Sequence, residues 1–322
     1  KVRALEQWWK MNKAKNFEEF YNILEMNELP GYNIGYADKD DNIFYISNGL
    51  IPIRDQKYKW TEVVPGNTSE TLWTEYYKTS DLPQVINPTS GYIYNANHSP
   101  FKSTSIDENP KPNDFVENMG FEKFDNNRST RIFELIESYE SIDYEIFKKI
   151  KYDNKFPTPF NYNFMNVNKI FEMKPDDYPE ISDLLRKIQE WDKATDVNSL
   201  GAGTYAMFYY TLADEYFYKS YYDRNFSKSL IEDCLKEVKR RMLKHFKTTD
   251  VRLGDFQKLV RGNKEIPIFG MPDVITAMNG TKYKDGKIQI THGESYIQLV
   301  KFSAKGTELE SAISYGSSDH KD

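Results

Sequence analysis

Cysteine is almost missing. Cys234 is the only one in 322 residues, which excludes an internal disulfide framework. It falls at an apolar position of a helical pattern, as a buried thiol does and a nucleophile does not, and one cysteine leaves the redox compartment open. A basic block is also missing: 43 Lys and Arg face 49 Asp and Glu, a net charge of −6, ill-suited to a phosphate backbone. No stretch is long and apolar enough to span a bilayer, since the weakly polar run from Leu200 to Ala213 is short and tyrosine-rich. Nothing has the pattern of a signal peptide. The chain opens on Lys1 and passes at once into an amphipathic pattern, so an internal piece of a longer polypeptide is expected.

Several chemistries are excluded by what is absent. The four histidines (98, 245, 292 and 320) have no ligand spacing, and no zinc motif occurs. Asp38, Asp40 and Asn42 begin like a calcium loop, but Ile43 and Gly49 stand where such a loop needs Gly and Glu. There is no Gly-x-Ser-x-Gly elbow. Ser317, Ser318, Asp319 and His320 are neighbours in sequence, but triads are defined in space. Gly201-Ala202-Gly203 is a lone glycine pair without the strand context of a phosphate loop. No repeat of fixed period appears, which disfavours a solenoid.

What is present is length enough for a sizeable core and 24 Tyr with 20 Phe, a content suited to amphipathic cores and aromatic clefts. The chain is organised around residues 32–54. Apolar residues dominate 34–37 and 43–46, with Asp-Lys-Asp-Asp-Asn between them, the pattern of a hairpin. Asn33 stands at the start of its first strand, and Arg54 follows Pro52 past the end of its second. An amide donor and a fixed cation are therefore expected near one end of the hairpin. Local pattern accommodates a plainer reading too, in which Asn33 caps a turn and Arg54 is a surface charge.

Helical spacing marks residues 2–14 and 17–28, with Asn16 as N-cap of the second. Alternation after Gly91 predicts a strand up to Phe101, and the polar, proline-containing residues 102–115 predict a surface loop. Helices are expected over 128–138, 142–150, 181–191, 201–222 and 229–246, the last opening with the capping box Ser229-Leu230-Ile231-Glu232. Residues 259–268 read as loop and short strand. Residues 287–290, 295–302 and 309–315 read as three antiparallel strands. The residues by themselves thus describe a large mixed α/β piece with an aromatic cleft and no complete catalytic set.

The order of short motifs adds to this. Asn33-x-x-Tyr36-Ala37-Asp38 with Asn42-Ile43, Gly49-x-x-Pro52-x-Arg54, and Pro65-Gly66 with Trp73 resemble the penicillin-acylase family of N-terminal-nucleophile (Ntn) amidohydrolases. So do Asp81-Leu82-Pro83-Gln84 with Asn87-Pro88, and Gly91-Tyr92-Ile93-x-Asn95-x-Asn97 with Pro100. Arg128-Ser129-Thr130-Arg131-Ile132, Gly254-Asp255 with Leu259-Val260-Arg261-Gly262, Gly293-Glu294-Ser295-Tyr296 and Tyr315-Gly316-Ser317-Ser318 follow in the family's order. Within the family the resemblance is to acyl-homoserine-lactone and aculeacin-type acylases.

The resemblance implies an α+β fold: part of a four-layer αββα sandwich with antiparallel strands and a large helical middle section. It divides the chain into 1–127 (first helices and the Asn33/Arg54 hairpin), 128–285 (helical section) and 286–322 (closing strands), all one piece of a larger Ntn-hydrolase domain. It implies cleavage of N-acyl amides by an N-terminal serine, with Asn33 as oxyanion donor and Arg54 beside the serine's amine. That serine has no counterpart here, so it is expected from another part of the precursor: the short alpha chain and the N-terminal part of the beta chain are the implied partners. Alone, this chain is expected to be inactive. His98 stands where relatives more often have Asn, Ser or Asp. No cofactor is implied. The resemblance allows a structural calcium, whose ligands have no identifiable positions here, and it implies a periplasmic or secreted protein. The competing readings are a non-catalytic exported glycan- or ligand-binding protein and a degenerate acylase relative.

Overall fold

Residues 38–42 turn the chain because Asp38 organises them: its Oδ1 accepts from the backbone N–H of Asp40 at 2.9 Å and of Asn42 at 3.1 Å. A computed structural model, which describes residues 3–162, 166–215 and 226–313, places strands β1 (Tyr32–Ala37) and β2 (Ile43–Asn48) on either side of this turn. They pair antiparallel, with Asn33 opposite Ser47 and Gly35 opposite Tyr45. β2 also pairs with β3 (Gln84–Ile86), so β1 is an edge of a three-stranded sheet. Period-2 alternation then sends Ile34, Tyr36, Phe44 and Ile46 to one face and Asn33, Gly35, Tyr45 and Ser47 to the other.

The apolar face packs on α1 (Ala4–Met11) and α2 (Phe17–Leu24), with Phe20, Leu24, Phe44 and Ile46 in one buried cluster. Asn16 caps α2 as expected, accepting from the Glu19 N–H at 2.8 Å. These elements belong to a first compact unit, residues 1–124 with 302–306; residues 125–301 and 307–322 form a second.

The second unit is centred on helices. α3 (Asn127–Glu137) and α4 (Tyr144–Lys151) lead to α5 (Ser182–Gln189), α6 (Leu200–Glu215) and α7 (Lys228–His245). Ile188, Tyr205, Phe208, Cys234 and Val238 are buried together, so the single thiol is a core residue. The arginines of α3 are structural: Arg131 makes a two-pronged pair with Asp153, at 3.0 Å and 2.9 Å. Strands β4 (Gln257–Arg261), β5 (Lys264–Pro267), β6 (Met278–Lys282) and β7 (Ile288–Gly293) form a sheet in the order β5-β4-β7-β6. β8 (Ile297–Ser303) and β9 (Gly306–Ala312) form a separate pair.

The architecture is mixed α/β, with several sheets and helices, and four local expectations need correction. The closing strands do not make one antiparallel sheet: β7 runs parallel to β4 and antiparallel to β6, while β8 pairs with β9. Alternation identifies a strand but not its neighbour. The N-cap of α7 lies two residues before the expected one, with Ser227 in place of Ser229 accepting from the Leu230 N–H at 3.1 Å. Residues 91–99 form no strand; their backbone is held by turns, with Asn97 at φ +58°. Residues 102–115 are not all surface, because Ser103 and Thr104 are buried, their N–H groups donating to Asn109 Oδ1. Residues 259–268 contribute the β4–β5 hairpin. The expected continuation of α6 beyond 215 and the motif at 315–318 lie outside the described residues.

Gly201 and Gly203 are packing residues of α6. A Cβ on Gly201 would lie 2.4 Å from the Trp191 Cβ, and one on Gly203 would lie 2.1 Å from the Val251 carbonyl oxygen. Backbone cannot retreat as a side-chain tip can. Gly203→Ala is predicted to destabilise the protein by about 3 kcal/mol or more in urea unfolding; a loss under about 0.5 kcal/mol would contradict this packing.

Candidate active site

Asn33 is exposed and lies inside β1, paired through Ser47 to the sheet, so it is a strand residue and not a turn cap. Tyr45, two positions diagonal to it on the same face, is 1% exposed and reaches across to donate its hydroxyl to Asn33 Oδ1 at 2.7 Å. Burial pushes the Tyr45 hydroxyl far above its ordinary pKa, so it stays protonated and remains a donor. The same hydroxyl oxygen accepts from Asn95 Nδ2 at 3.3 Å. The carbonyl oxygen of Asn33 is therefore occupied, while its Nδ2 has no hydrogen-bond partner among the described residues. Asn33 also lines a recess of about 310 Å³ along the edge of β1, with Trp8, Met11 and Phe20.

Asn95 is held by the loop that also carries His98. Ala96 donates its N–H to His98 Nδ1 at 3.1 Å, and His98 Nε2 lies 2.8 Å from the Lys102 carbonyl, an arrangement that the Nε2–H tautomer satisfies. The ring is fully buried and stacked on Tyr94, with centroids 5.0 Å apart. His98 is thus an anchor of this loop.

Arg54 is half-buried rather than a free surface charge. An isolated bridge between Pro52 and Tyr76 fixes the backbone two residues before it. Its guanidinium lies over Trp73, 5.1 Å from the ring centroid, and 6.0 Å from that of Trp60. Nη1 donates to the Asn118 carbonyl at 2.5 Å. Gly120, at φ +80°, turns the chain past this contact; a Cβ there would lie 3.8 Å from Nη1. Nε is buried without a partner among the described residues. Asn33 and Arg54 share no hydrogen bond. Both lie in the first unit, each with its own supports.

The sequence reading missed Tyr45 as a partner of Asn33, and the tryptophans as a platform for Arg54. The first was findable: given the 38–42 turn, counting back along both strands puts Tyr45 and Asn33 on one face.

A larger recess of about 590 Å³ opens in the second unit, lined among others by Arg128, Tyr162, Tyr209, Asp273 and Glu294. Its charged groups are committed to internal pairs. Asp273 Oδ2 accepts from the Asn127 N–H at 3.1 Å and from Asn127 Nδ2 at 2.9 Å, Arg128 Nε lies 3.3 Å from Oδ1, and Glu294 binds Lys151 at 2.6 Å. Volume favours this recess; available hydrogen-bonding groups favour Asn33. Among the described residues no group of three or more His, Cys, Asp or Glu could hold a metal ion, and no helix is long and apolar enough to cross a membrane.

The penicillin amidase family model matches residues 1–322. Penicillin G acylase of Escherichia coli is 37% identical over 101 residues, 31% of this chain and 12% of that protein. The acyl-homoserine lactone acylase PvdQ of Pseudomonas fluorescens (strain Pf0-1) is 31% identical over 71 residues, 21% of this chain and 9% of that protein. A thermostable penicillin G acylase from Alcaligenes faecalis superposes with a TM-score of 0.61 at 15% identity, covering 100% of this chain and 65% of that one. The chain thus spans about two thirds of the solved relative, and the aligned stretches far less of the curated ones. The mixed architecture is consistent with the Ntn-hydrolase fold of that solved acylase.

Burial raises the pKa of Asp273, outweighing the donors from Asn127 and Arg128. The folded chain then holds this proton more tightly than the unfolded chain, so stability falls as pH rises from the ordinary Asp value of about 3.9 through the raised one. Relative to wild type, Asp273→Asn is predicted to gain stability as pH rises from about 4 to 7. Urea unfolding across that range checks it, and parallel profiles would contradict it.

Proposed function

The chain belongs to the penicillin amidase family, and we propose that it contributes the oxyanion donor of an amidohydrolase that cleaves N-acyl amides. The observation that carries this reading is the uncommitted Nδ2 of Asn33, on an exposed strand position, with its Oδ1 held by Tyr45. A tetrahedral intermediate places negative charge on the former carbonyl oxygen. A carboxamide N–H stabilises it without a proton to lose.

In the proposed reaction a serine at a new N-terminus, from a part of the protein outside this chain, attacks the amide carbon through Oγ. Its own α-amine, directly or through water, takes the hydroxyl proton. The C–N bond breaks as that proton passes to the leaving amine, and water then hydrolyses the acyl-serine ester to release the acid. Arg54 is assigned to the neighbourhood of the α-amine, where a fixed cation disfavours protonating the amine and keeps it basic near neutral pH. Its carbonyl and tryptophan contacts suit a cation that must not wander. The substrate is a small N-acyl amide, the remainder of the precursor is the partner, and the compartment is the periplasm or the exterior.

In the full-length protein, Asn33→Ala is predicted to lower kcat by about 10²–10³ on N-acyl p-nitroanilides while folding and precursor cleavage survive. Turnover at the wild-type rate would refute the assignment.

A further inference from the structure

The hydrogen bonds behind Asn33 have a direction that can be traced from atoms of fixed character. The backbone N–H of Asn97 can only donate, and it lies 2.8 Å from Asn95 Oδ1. The carbonyl of His98 can only accept, and it lies 3.4 Å from Asn95 Nδ2. Together they fix which end of the Asn95 amide is which, with Nδ2 toward the Tyr45 hydroxyl. A hydroxyl has a single proton. The Tyr45 oxygen receives from Asn95 and its proton points to Asn33, whose Oδ1 is the atom 2.7 Å away.

Resting on the reading above, we infer that Tyr45 and Asn95 are positioning residues: a polarity relay, anchored on the backbone at 97 and 98, holds the Asn33 amide with Nδ2 outward. A lone exposed amide would present its oxygen as readily as its nitrogen, and an oxygen facing an oxyanion repels it. The relay removes that choice before substrate arrives. Each member suits the task. Tyr45 is buried and so keeps its proton, Asn95 is clamped at both ends of its amide, and the His98 ring ties down the loop carrying Asn95.

The relay predicts an ordering of kinetic effects on an N-acyl p-nitroanilide in the full-length protein. Tyr45→Phe removes the lock but leaves the amide free to choose, so kcat falls about three- to tenfold with little change in KM. Asn95→Asp goes further. A carboxylate accepts from Tyr45, whose oxygen then faces Asn33 as an acceptor and turns the amide around, so the loss exceeds that of Tyr45→Phe. In an Asn33→Ala background, Tyr45→Phe costs nothing more. If Tyr45→Phe fails to fold, Asn95→Ala, which frees the hydroxyl to rotate, takes its place in the same cycle. Wild-type kcat in Tyr45→Phe, alongside a large loss in Asn33→Ala, overturns the relay and leaves the oxyanion assignment standing. An equal loss from Tyr45→Phe with and without Asn33 also overturns it, as a general structural effect. No loss in Asn33→Ala overturns both.

Discussion

The antiparallel register of β1 on β2 is the constraint on which the candidate site depends. It places Asn33 opposite Ser47 and diagonal to Tyr45, on the face away from α1 and α2. A slip of one residue would exchange the two faces, driving Asn33 toward the apolar cluster of Phe20, Leu24 and Phe44 and turning Ile34 outward. Burying an unpaired amide there costs several kcal/mol, on the order of 2–7. The apolar face and the Asp38 turn therefore specify the polar face as well. Stability and placement of the amide come from one arrangement.

Two kinds of support surround the two polar groups. Asn33 is held by a hydrogen-bond chain that ends on the main chain of a turn, which confers direction as well as position. Arg54 is held by carbonyl acceptors and by Trp73, contacts that restrain a cation without neutralising it. No carboxylate pairs with Arg54 among the described residues, in contrast to Arg131, which is matched by Asp153. An arginine kept in place without a counter-ion retains its field for another group.

Much of this was legible in the residues because it is local. The Asp-Lys-Asp-Asp-Asn turn, the alternation on both sides of it and the Asn16 cap each follow from a few neighbouring side chains. The order of family motifs pointed to Asn33 and Arg54. What was not legible is set by long-range partners: β7 beside β4, the burial of Ser103 and Thr104, and the packing role of the Gly201–Gly203 pair. The capping box at Ser229 misled for a related reason. Ser227 and Ser229 have equal chemical claims to the cap, local pattern does not choose between them, and the N-cap is Ser227. The relay was half legible: the hairpin register gives Tyr45, but Asn95 reaches it only through a loop whose path depends on the buried His98.

The most direct test of the account is a crystal structure of the full-length protein with a boronic acid or phosphonate analogue of the acyl tetrahedral intermediate. The account predicts Asn33 Nδ2 about 3 Å from the oxygen that mimics the oxyanion, with Tyr45 still bonded to Oδ1. An oxyanion bound by other donors, with the Asn33 amide more than about 5 Å away or facing it through Oδ1, would contradict the account.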